Sequence, residues 1–172
     1  MTFNSKIFLS LTKSRLAISV VFSALAGYIL AADNFNFLNI FLLLVGGYCI
    51  VGASNSFNQI IEKDKDSMME RTKNRPLPKN HISKSKAFWI SVFLTLVVLL
   101  CLYLINYKTA FFAALSVFLY TCIYTPLKPI TPLSVFVGAI PGAIPFMLGW
   151  VAATNQFGIE PGTLFMIQFF WQ

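Results

Sequence analysis

The sequence predicts an all-α membrane protein, a bundle of transmembrane helices, and three features carry this prediction. Of the 172 residues, 57% are hydrophobic and only 11% are charged, whereas soluble domains carry about a quarter charged residues. The apolar residues gather into uncharged stretches long enough to cross a hydrocarbon core about 30 Å thick. The charged residues lie almost entirely between those stretches.

Five apolar stretches are each long enough to form a membrane-spanning helix of about 20 residues. A sixth begins near Thr163, but only a short segment follows before Gln172, about half of a crossing. We therefore expect residues 1–172 to form a single transmembrane domain that is incomplete, from a fragment or a truncated reading frame. The five complete stretches are residues 16–32, 37–61, 88–105, 109–124 and 133–153.

The distribution of Lys and Arg predicts a multi-pass protein of the cytoplasmic (inner) membrane with its N-terminus in the cytoplasm. All Lys and Arg residues except Lys108 lie before the first stretch, between the second and third, or between the fourth and fifth. A cytoplasmic N-terminus places all three regions on the cytoplasmic side, as the positive-inside rule requires. The net charge of +7 is thus interpreted as an orientation signal, and no nucleic-acid partner is expected.

The end of the second stretch and the loop 62–87 that follows it are predicted to carry chemistry. Asn58, Glu62 and Asp66 recur every four residues, and Asn55 lies one turn further in, so a helix places them on one face. Two carboxylates one turn apart repel each other unless a cation lies between them. Mg²⁺ prefers oxygen ligands and commonly binds one or two carboxylates together with substrate phosphates. The spacing therefore predicts that Asn58, Glu62 and Asp66 are catalytic residues and ligands of Mg²⁺ bound to a diphosphate.

A basic run follows these acids and is predicted to clamp the diphosphate. Arg71, Lys73 and Arg75 lie in the segment ERTKNRPLP. Arg donates to phosphate oxygens through a planar fork, and Lys acts as a point charge. Lys128, in YTPLK, and Asn55 are further candidates for diphosphate binding. A solvated membrane surface would account for the lysines alone, but it would not account for the four-residue spacing of the acids.

Several other polar or small residues are predicted to have structural roles. Asp64 points away from the face that carries the acids, and His81 is expected to be a solvated loop residue. Gly138 and Gly142 have the spacing of a helix-packing face. Three cysteines lie singly in apolar stretches without metal-ligand spacing and are expected to be small buried hydrophobes: Cys49, Cys101 and Cys122.

The acidic and basic segments together resemble a known motif. NQIIEKDKD followed by ERTKNRPLP resembles the first aspartate-rich motif of the UbiA superfamily of intramembrane prenyltransferases. With YTPLK and GAIPGAIPFMLGW, the sequence is most similar to the branch of that superfamily that farnesylates haem b. The resemblance extends from about Thr12 to the end of the sequence.

This resemblance implies a nine-helix bundle around a central cavity, of which the sequence holds five helices and the start of a sixth. The implied enzyme uses Mg²⁺ to transfer a farnesyl group from farnesyl diphosphate to a vinyl group of haem b, giving haem O, the precursor of haem A in terminal oxidases. Implied partners are these substrates, the lipid bilayer, and haem A synthase or terminal-oxidase assembly factors. Two features depart from the pattern: Glu62 stands where many members have Asp, and the second acidic motif is missing.

Two other functions remain open at this point. Another member of the superfamily would prenylate an aromatic quinone precursor such as 4-hydroxybenzoate, because acceptor choice depends on the lining of the cavity. A small membrane transporter or scaffold would instead use the acids as a cation relay. That class predicts charged residues near the bilayer midplane, where this sequence has almost none.

Overall fold

The computed structural model describes residues 5–172, and all regular structure in that range is helical. Five helical segments are long and apolar enough to cross a membrane, which confirms the predicted fold class. The elements are α1 Ser5–Thr12, α2 Ser14–Ala31, α3 Phe37–Ile61, α4 Lys63–Met68, α5 Lys84–Ile105, α6 Tyr107–Phe118, a π-helix Leu119–Tyr124, α7 Thr125–Leu127, α8 Leu133–Thr154 and α9 Ile159–Trp171.

The boundaries of the long helices lie close to those predicted. Helix α3 has the predicted range, whereas α5 begins four residues early, at Lys84. The early start follows from an N-cap, because the Ser83 hydroxyl oxygen accepts a hydrogen bond from the Lys86 amide at 3.2 Å and satisfies a free helix donor. The fourth span runs over Tyr107–Leu127 and contains the π-helix, which the apolar pattern alone could not distinguish from α-helix.

Helix α1 was not predicted, and it lies against the loop between α4 and α5. Its residue Leu11 is fully buried with Leu77, Ile82 and Ala87 in a small apolar cluster. The Gln59 side-chain amide of α3 donates to the Leu11 carbonyl at 2.9 Å, at the end of α1 where carbonyls lack intrahelical partners. These contacts hold α1 and the loop together at one end of the bundle.

Close packing of α2 against α8 depends on two glycines. A Cβ atom on Gly149 would overlap the Ala24 carbonyl, and one on Gly27 would overlap the Phe146 carbonyl. Small residues allow helix backbones to approach in this way in membranes. Gly138 and Gly142, the predicted packing pair, face the Tyr124 ring of the π-helix and the Gln172 side chain after α9.

The turns at the other end of the bundle are short and capped. The Asn36 side chain accepts hydrogen bonds from the first amides of α3, at Leu38 and Asn39. The Asn106 side chain accepts from the Thr109 amide at 2.8 Å and donates to the Val151 carbonyl at 3.0 Å. Each asparagine therefore supplies an N-cap, and Asn106 also joins α6 to the end of α8.

Candidate active site

The three residues predicted as metal ligands lie on one buried face, as the four-residue spacing requires. Helix α3 ends at Ile61 and α4 begins at Lys63, but the hydrogen-bond ladder continues through the junction. The Glu62 amide donates to the Asn58 carbonyl at 2.9 Å, and the Asp66 amide donates to the Glu62 carbonyl at 2.8 Å. The exposed fractions of Asn58, Glu62 and Asp66 are 3%, 9% and 3%.

Each of the two carboxylates has a cationic partner, one from the following loop and one from a distant part of the chain. Arg75 Nη1 lies 2.6 Å from Asp66 Oδ2, and Lys128 Nζ lies 3.1 Å from Glu62 Oε1. Removing two carboxylates from water is costly, and paired cations offset that cost. The candidate site is therefore assembled from α3, α4, the following loop and the segment after α7.

The amide of Asn58 connects the acids to the π-helical span. Asn58 Nδ2 donates to the Thr125 hydroxyl oxygen at 3.3 Å, and that hydroxyl donates to the Tyr120 carbonyl at 2.8 Å. In a π-helix, carbonyls are displaced from their α-helical partners, and such segments are frequent at functional sites. These two hydrogen bonds, which link Asn58 to Tyr120 through Thr125, therefore place the π-helix beside the acidic face.

The loop after α4 is folded so that Arg75 faces the acids. The Thr72 hydroxyl donates to the Asp66 carbonyl at 3.0 Å, and the Arg75 amide donates to the Thr72 carbonyl at 2.9 Å. Leu77, two residues further on, is fully buried against Leu11. Arg75 is consequently anchored on both sides by contacts that its own segment makes.

The other predicted basic residues of this loop are not brought to the carboxylates. Arg71 is exposed, and Lys73 lies 2.6 Å from Glu70 in an exposed ion pair. Asp64 is exposed and faces Lys84 at 3.6 Å, so it does point away from the acidic face. His81 is also exposed.

A residue not predicted for the site, Lys13, lies at the joint between α1 and α2. Its backbone is left-handed, with φ 50° and ψ 55°, a conformation that costs a non-glycine residue about 1 kcal/mol or more. Burial lowers the pKa of Lys13, and the charges of Arg75 and Lys128 lower it further, while Glu62 and Asp66 oppose the shift. These charges place Lys13 in the same electrostatic environment as the acids. The sequence shows a lysine before the first helix, and orientation alone explained it.

A cavity of about 390 Å³ opens beside this charged cluster, between α2, α3, the π-helical span and α8. This volume lies within the range of about 300 to 1,000 Å³ typical of ligand pockets. Most of the wall is apolar, with Leu16, Val20 and Ile144 among its residues. Asn55 and Tyr124 belong to the small polar part of the lining, near Asn58 and Thr125.

Asn55 contacts this cavity and makes no bond to a basic residue within the described range. Its Nδ2 donates to the Val51 carbonyl at 2.9 Å, one turn earlier on α3. Exchanging the two ends of the amide would set one carbonyl oxygen against another, so this orientation follows from the hydrogen bond. The Asn55 side-chain oxygen is therefore an acceptor, in a residue that lines the cavity and that was predicted to bind diphosphate.

The oxygen-bearing side chains fit a magnesium ion that shares its coordination with a diphosphate. Residues 5–172 contain no group of three or more His, Cys, Asp or Glu that could by itself enclose a metal. Mg²⁺ does not need such a cage, since it commonly binds one or two carboxylates and completes its shell with water and phosphate oxygens. Glu62 and Asp66 could provide the two carboxylates, and Asn58 could add an amide.

The helical fold fits an intramembrane prenyltransferase, and the sequence comparison agrees. The model of the UbiA prenyltransferase family matches residues 20–172. The chain therefore belongs to the UbiA prenyltransferase family and is a multi-pass membrane protein.

Two relatives show which members of the family this chain resembles in sequence. It is 66% identical over 168 residues to the protoheme IX farnesyltransferase of Flavobacterium psychrophilum, covering 96% of this chain and 56% of that protein. It is 64% identical over 165 residues to the protoheme IX farnesyltransferase of Christiangramia forsetii, covering 96% of this chain and 55% of that protein. The chain thus spans about half the length of these relatives.

Solved structures show the same fold at low sequence identity. A digeranylgeranylglyceryl phosphate synthase superimposes with a TM-score of 0.86 at 20% identity, covering 95% of this chain and 58% of that one. A UbiA homologue from Archaeoglobus fulgidus, bound to DMAPP and Mg²⁺, superimposes with a TM-score of 0.77 at 14% identity, covering 95% and 60%.

Proposed function

We propose that this chain carries the diphosphate-binding part of a farnesyltransferase that prenylates haem b to give haem O. The observation that carries the proposal is the pair of buried carboxylates, Glu62 and Asp66, held with cations beside an apolar cavity. An acidic face that binds a cation, next to an apolar space, fits a substrate with a diphosphate head and a hydrocarbon tail.

The acidic residues would hold the metal of this reaction. In this proposal Glu62 and Asp66 bind Mg²⁺ through carboxylate oxygens, and Asn58 is the third oxygen ligand. When bound, Mg²⁺ supplies Lewis-acid stabilisation of the negative charge on the departing diphosphate. The support comes from the chemistry of the donors and from the A. fulgidus homologue, which was solved with DMAPP and Mg²⁺.

Three cations would act on the diphosphate oxygens together with the metal. Arg75 and Lys128 already lie against the acids, and Lys13 shares their electrostatic environment. Three positive side chains against two carboxylates leave an excess of positive charge before any metal binds, which favours an anionic ligand. Arg71 and Lys73, on the exposed rim, would attract that ligand to the entrance and not hold it in the site.

The cavity would hold the farnesyl chain and exclude water from the allylic cation. Apolar walls stabilise the hydrocarbon tail by removing it from water and suppress premature hydrolysis of the cation. The rings of Tyr120 and Tyr124 line the cavity with their centroids 5.1 Å apart. A ring face stabilises a nearby positive charge by about 0.5 to 2 kcal/mol, so this pair would support charge at the reacting carbon.

Haem b is proposed as the acceptor because of sequence similarity. The 66% identity to the F. psychrophilum protoheme IX farnesyltransferase extends over 96% of the chain and includes the cavity-lining segments of α2, α3 and α8. We further propose that the site faces the cytoplasm and that the membrane is the cytoplasmic one. The support is the positive-inside rule applied to the Lys and Arg residues of the loop 62–87.

The test uses a chimera, since the chain covers 56% of its F. psychrophilum relative. Residues 1–172 would be joined to the part of that relative which follows the matched region. The purified chimera, given farnesyl diphosphate, Mg²⁺ and haem b, is expected to form haem carrying one farnesyl group and one added water, detected by mass spectrometry. Prenylation of 4-hydroxybenzoate with haem unchanged would contradict the proposed acceptor. Undiminished turnover in excess chelator would contradict the proposed metal.

A further inference from the structure

The side chain of Asn55 has an unusual hydrogen-bond deficit. Asn55 is 2% exposed, and its Nδ2 donates to the Val51 carbonyl. Its Oδ1 is buried and has no hydrogen-bond partner among the residues that the structure describes. Leaving a buried acceptor unpaired costs about 1 to 3 kcal/mol. Such an atom therefore indicates a partner supplied by a ligand or by water.

The position of Asn55 separates it from the other buried oxygens that lack a partner. Within residues 5–172, these are the side-chain oxygens of Asn55, Ser56, Gln59 and Thr121. Of the four residues, Asn55 alone lines the 390 Å³ cavity. It lies three residues before Asn58, about one turn deeper along α3 than the acidic face.

The chemistry of this oxygen limits what it can bind. An amide oxygen accepts hydrogen bonds or coordinates a cation. The proposed Mg²⁺ lies with the acids, about one turn away along α3, which leaves the Asn55 oxygen for a ligand that carries an O–H or N–H group. This inference rests on the proposed function, and the reactants of the proposed reaction limit which ligand can donate to Asn55. The farnesyl chain and the haem vinyl group have no such donor, and an ionised diphosphate offers only acceptors. Water is the remaining reactant, and it donates.

We propose that Asn55 Oδ1 holds the water molecule that supplies the hydroxyl group of haem O. A water in a largely apolar cavity is stable only with two or more polar partners. Ser54, the residue before Asn55, also lines the cavity and supplies a second polar side chain. The depth of Asn55 places this water beside the reacting carbon and away from the acids that bind the head group.

The reaction that this arrangement serves is balanced without any oxidant or reductant. The bond between C1 of the farnesyl group and the diphosphate oxygen breaks, and the vinyl π electrons form a new carbon–carbon bond to C1. Positive charge remains on the vinyl carbon attached to the porphyrin ring. The water oxygen donates a lone pair to that carbon and loses one proton to the released diphosphate. Asn55 orients the water and is a positioning residue, since an amide oxygen is too weak a base to take the proton.

The carbocation on the vinyl carbon can react in a second way when no water is held beside it. Loss of a proton from the neighbouring carbon gives an alkene, whose mass is lower than that of haem O by one water molecule. The ratio of alkene to alcohol therefore reports on the water site. Binding of either substrate and formation of the carbon–carbon bond affect both products equally.

The experiment compares Asn55→Leu with the unsubstituted chimera and with Ser56→Ala, the matched control. Ser56 is a neighbouring buried residue whose hydroxyl also lacks a partner, but it does not line the cavity. We expect Asn55→Leu to raise the alkene-to-alcohol ratio about tenfold, as loss of one hydrogen bond of about 1.4 kcal/mol implies. Total prenylated haem should fall less than about threefold, and Ser56→Ala should leave the ratio unchanged.

The outcomes separate this proposal from the function on which it rests. If the unsubstituted chimera forms no prenylated haem, the proposed function fails. If it forms haem O and Asn55→Leu leaves the product ratio unchanged, or abolishes both products while retaining Mg²⁺-dependent pyrophosphate binding, the water site is overturned. Should Asn55→Leu not fold, Asn55→Asp decides, because it keeps the acceptor oxygen. Retained alcohol in that variant supports the site, and a shift to alkene contradicts it.

Discussion

The two ends of this helical bundle use asparagine in opposite ways. At the end with the short turns, Asn36 and Asn106 bind backbone amides, and their oxygen atoms are occupied as helix caps. At the end with the loop, Asn58 binds a threonine hydroxyl 67 residues away, and Asn55 keeps an unpaired oxygen. The first pair makes hydrogen bonds that stabilise the fold, whereas the second pair includes an acceptor oxygen that is left for a ligand.

The charged residues show the same contrast. Lys108, at the turn end, donates to the Asn155 carbonyl in a solvent-exposed hydrogen bond. At the loop end, Glu62 and Asp66 are buried and bind cations 66 and 9 residues away in sequence. Buried charge has a high desolvation cost, so its retention at one end distinguishes a binding site from a membrane surface. The variants below test this distinction.

The largest effect is expected from neutralising the acidic face. Glu62→Gln with Asp66→Asn should reduce haem farnesylation by the chimera about 10²- to 10³-fold, because charge stabilisation of the leaving diphosphate is lost. Turnover and Mg²⁺-dependent pyrophosphate binding would both be measured. Asp64→Asn is the matched control, since Asp64 lies on α4 but is exposed, and it should change turnover less than about twofold. Equal losses of turnover in both variants would show that turnover depends on the total negative charge and not on the buried carboxylates.

A second substitution separates the half-buried Arg75 from the exposed basic residues of the same loop. Arg75→Met leaves Asp66 buried without its partner, which should lower the free energy of unfolding by about 3 kcal/mol. It should also weaken pyrophosphate binding about tenfold or more, since charge-assisted hydrogen bonds are lost. Thermal unfolding in detergent and calorimetric titration would measure the two effects.

Lys73→Met provides the comparison for Arg75, because Lys73 belongs to the same loop and forms an exposed ion pair with Glu70. Exposed pairs contribute about 1 kcal/mol or less, so this variant should resemble the unsubstituted protein in both measurements. A loss of binding in Lys73→Met as large as that in Arg75→Met would support the original prediction that Lys73 binds the diphosphate.

The turn end should show the reverse behaviour. Asn106→Ala removes the N-cap of α6 and the bond to the Val151 carbonyl, which should destabilise the protein by about 1 to 2 kcal/mol. Pyrophosphate affinity at the opposite end should not change. An altered affinity would indicate that the two ends are coupled and that the contrast between them is incomplete.

The sequence predicted those parts of the site that depend on local spacing. The shared buried face of Asn58, Glu62 and Asp66 was predictable because a four-residue repeat specifies one helix face, even across the α3–α4 junction. Which basic residue of the loop pairs with a buried carboxylate was not predictable, since it depends on how the loop folds against Leu11 of α1.

The fold also divides into features that local sequence predicts and features that depend on contacts between distant segments. Long apolar stretches predict spanning helices from composition alone, and five were confirmed. Helix α1 has eight residues and is too short for a periodic pattern to identify with certainty. The π-helix requires a shift in hydrogen-bond partners that leaves no hydrophobic signal. Both features bring side chains to the site through contacts between elements distant in sequence.

Lys13 has an environment in the structure that the sequence did not predict. Its substitution has the smallest predicted effect. Its pKa lies below the usual lysine value because burial and the charges of Arg75 and Lys128 disfavour the ammonium form. The unfolded chain therefore binds more protons than the folded chain between the lowered and the usual pKa. The free energy of unfolding should rise with pH through that window. Below the window, Lys13→Met should be more stable than the unsubstituted chain.

The same shift has the opposite consequence for ligand binding. The Lys13 ammonium attracts a diphosphate only below its pKa, so part of the pyrophosphate affinity should be lost as pH rises, at a lower pH than for an ordinary lysine. Lys13→Met should bind roughly three- to tenfold more weakly at neutral pH and should lack that part of the alkaline decline. Titrations at several pH values, with Lys6→Met as a control at the other end of α1, would measure it. A variant that gained stability at neutral pH without losing affinity would make Lys13 a membrane-orientation residue only.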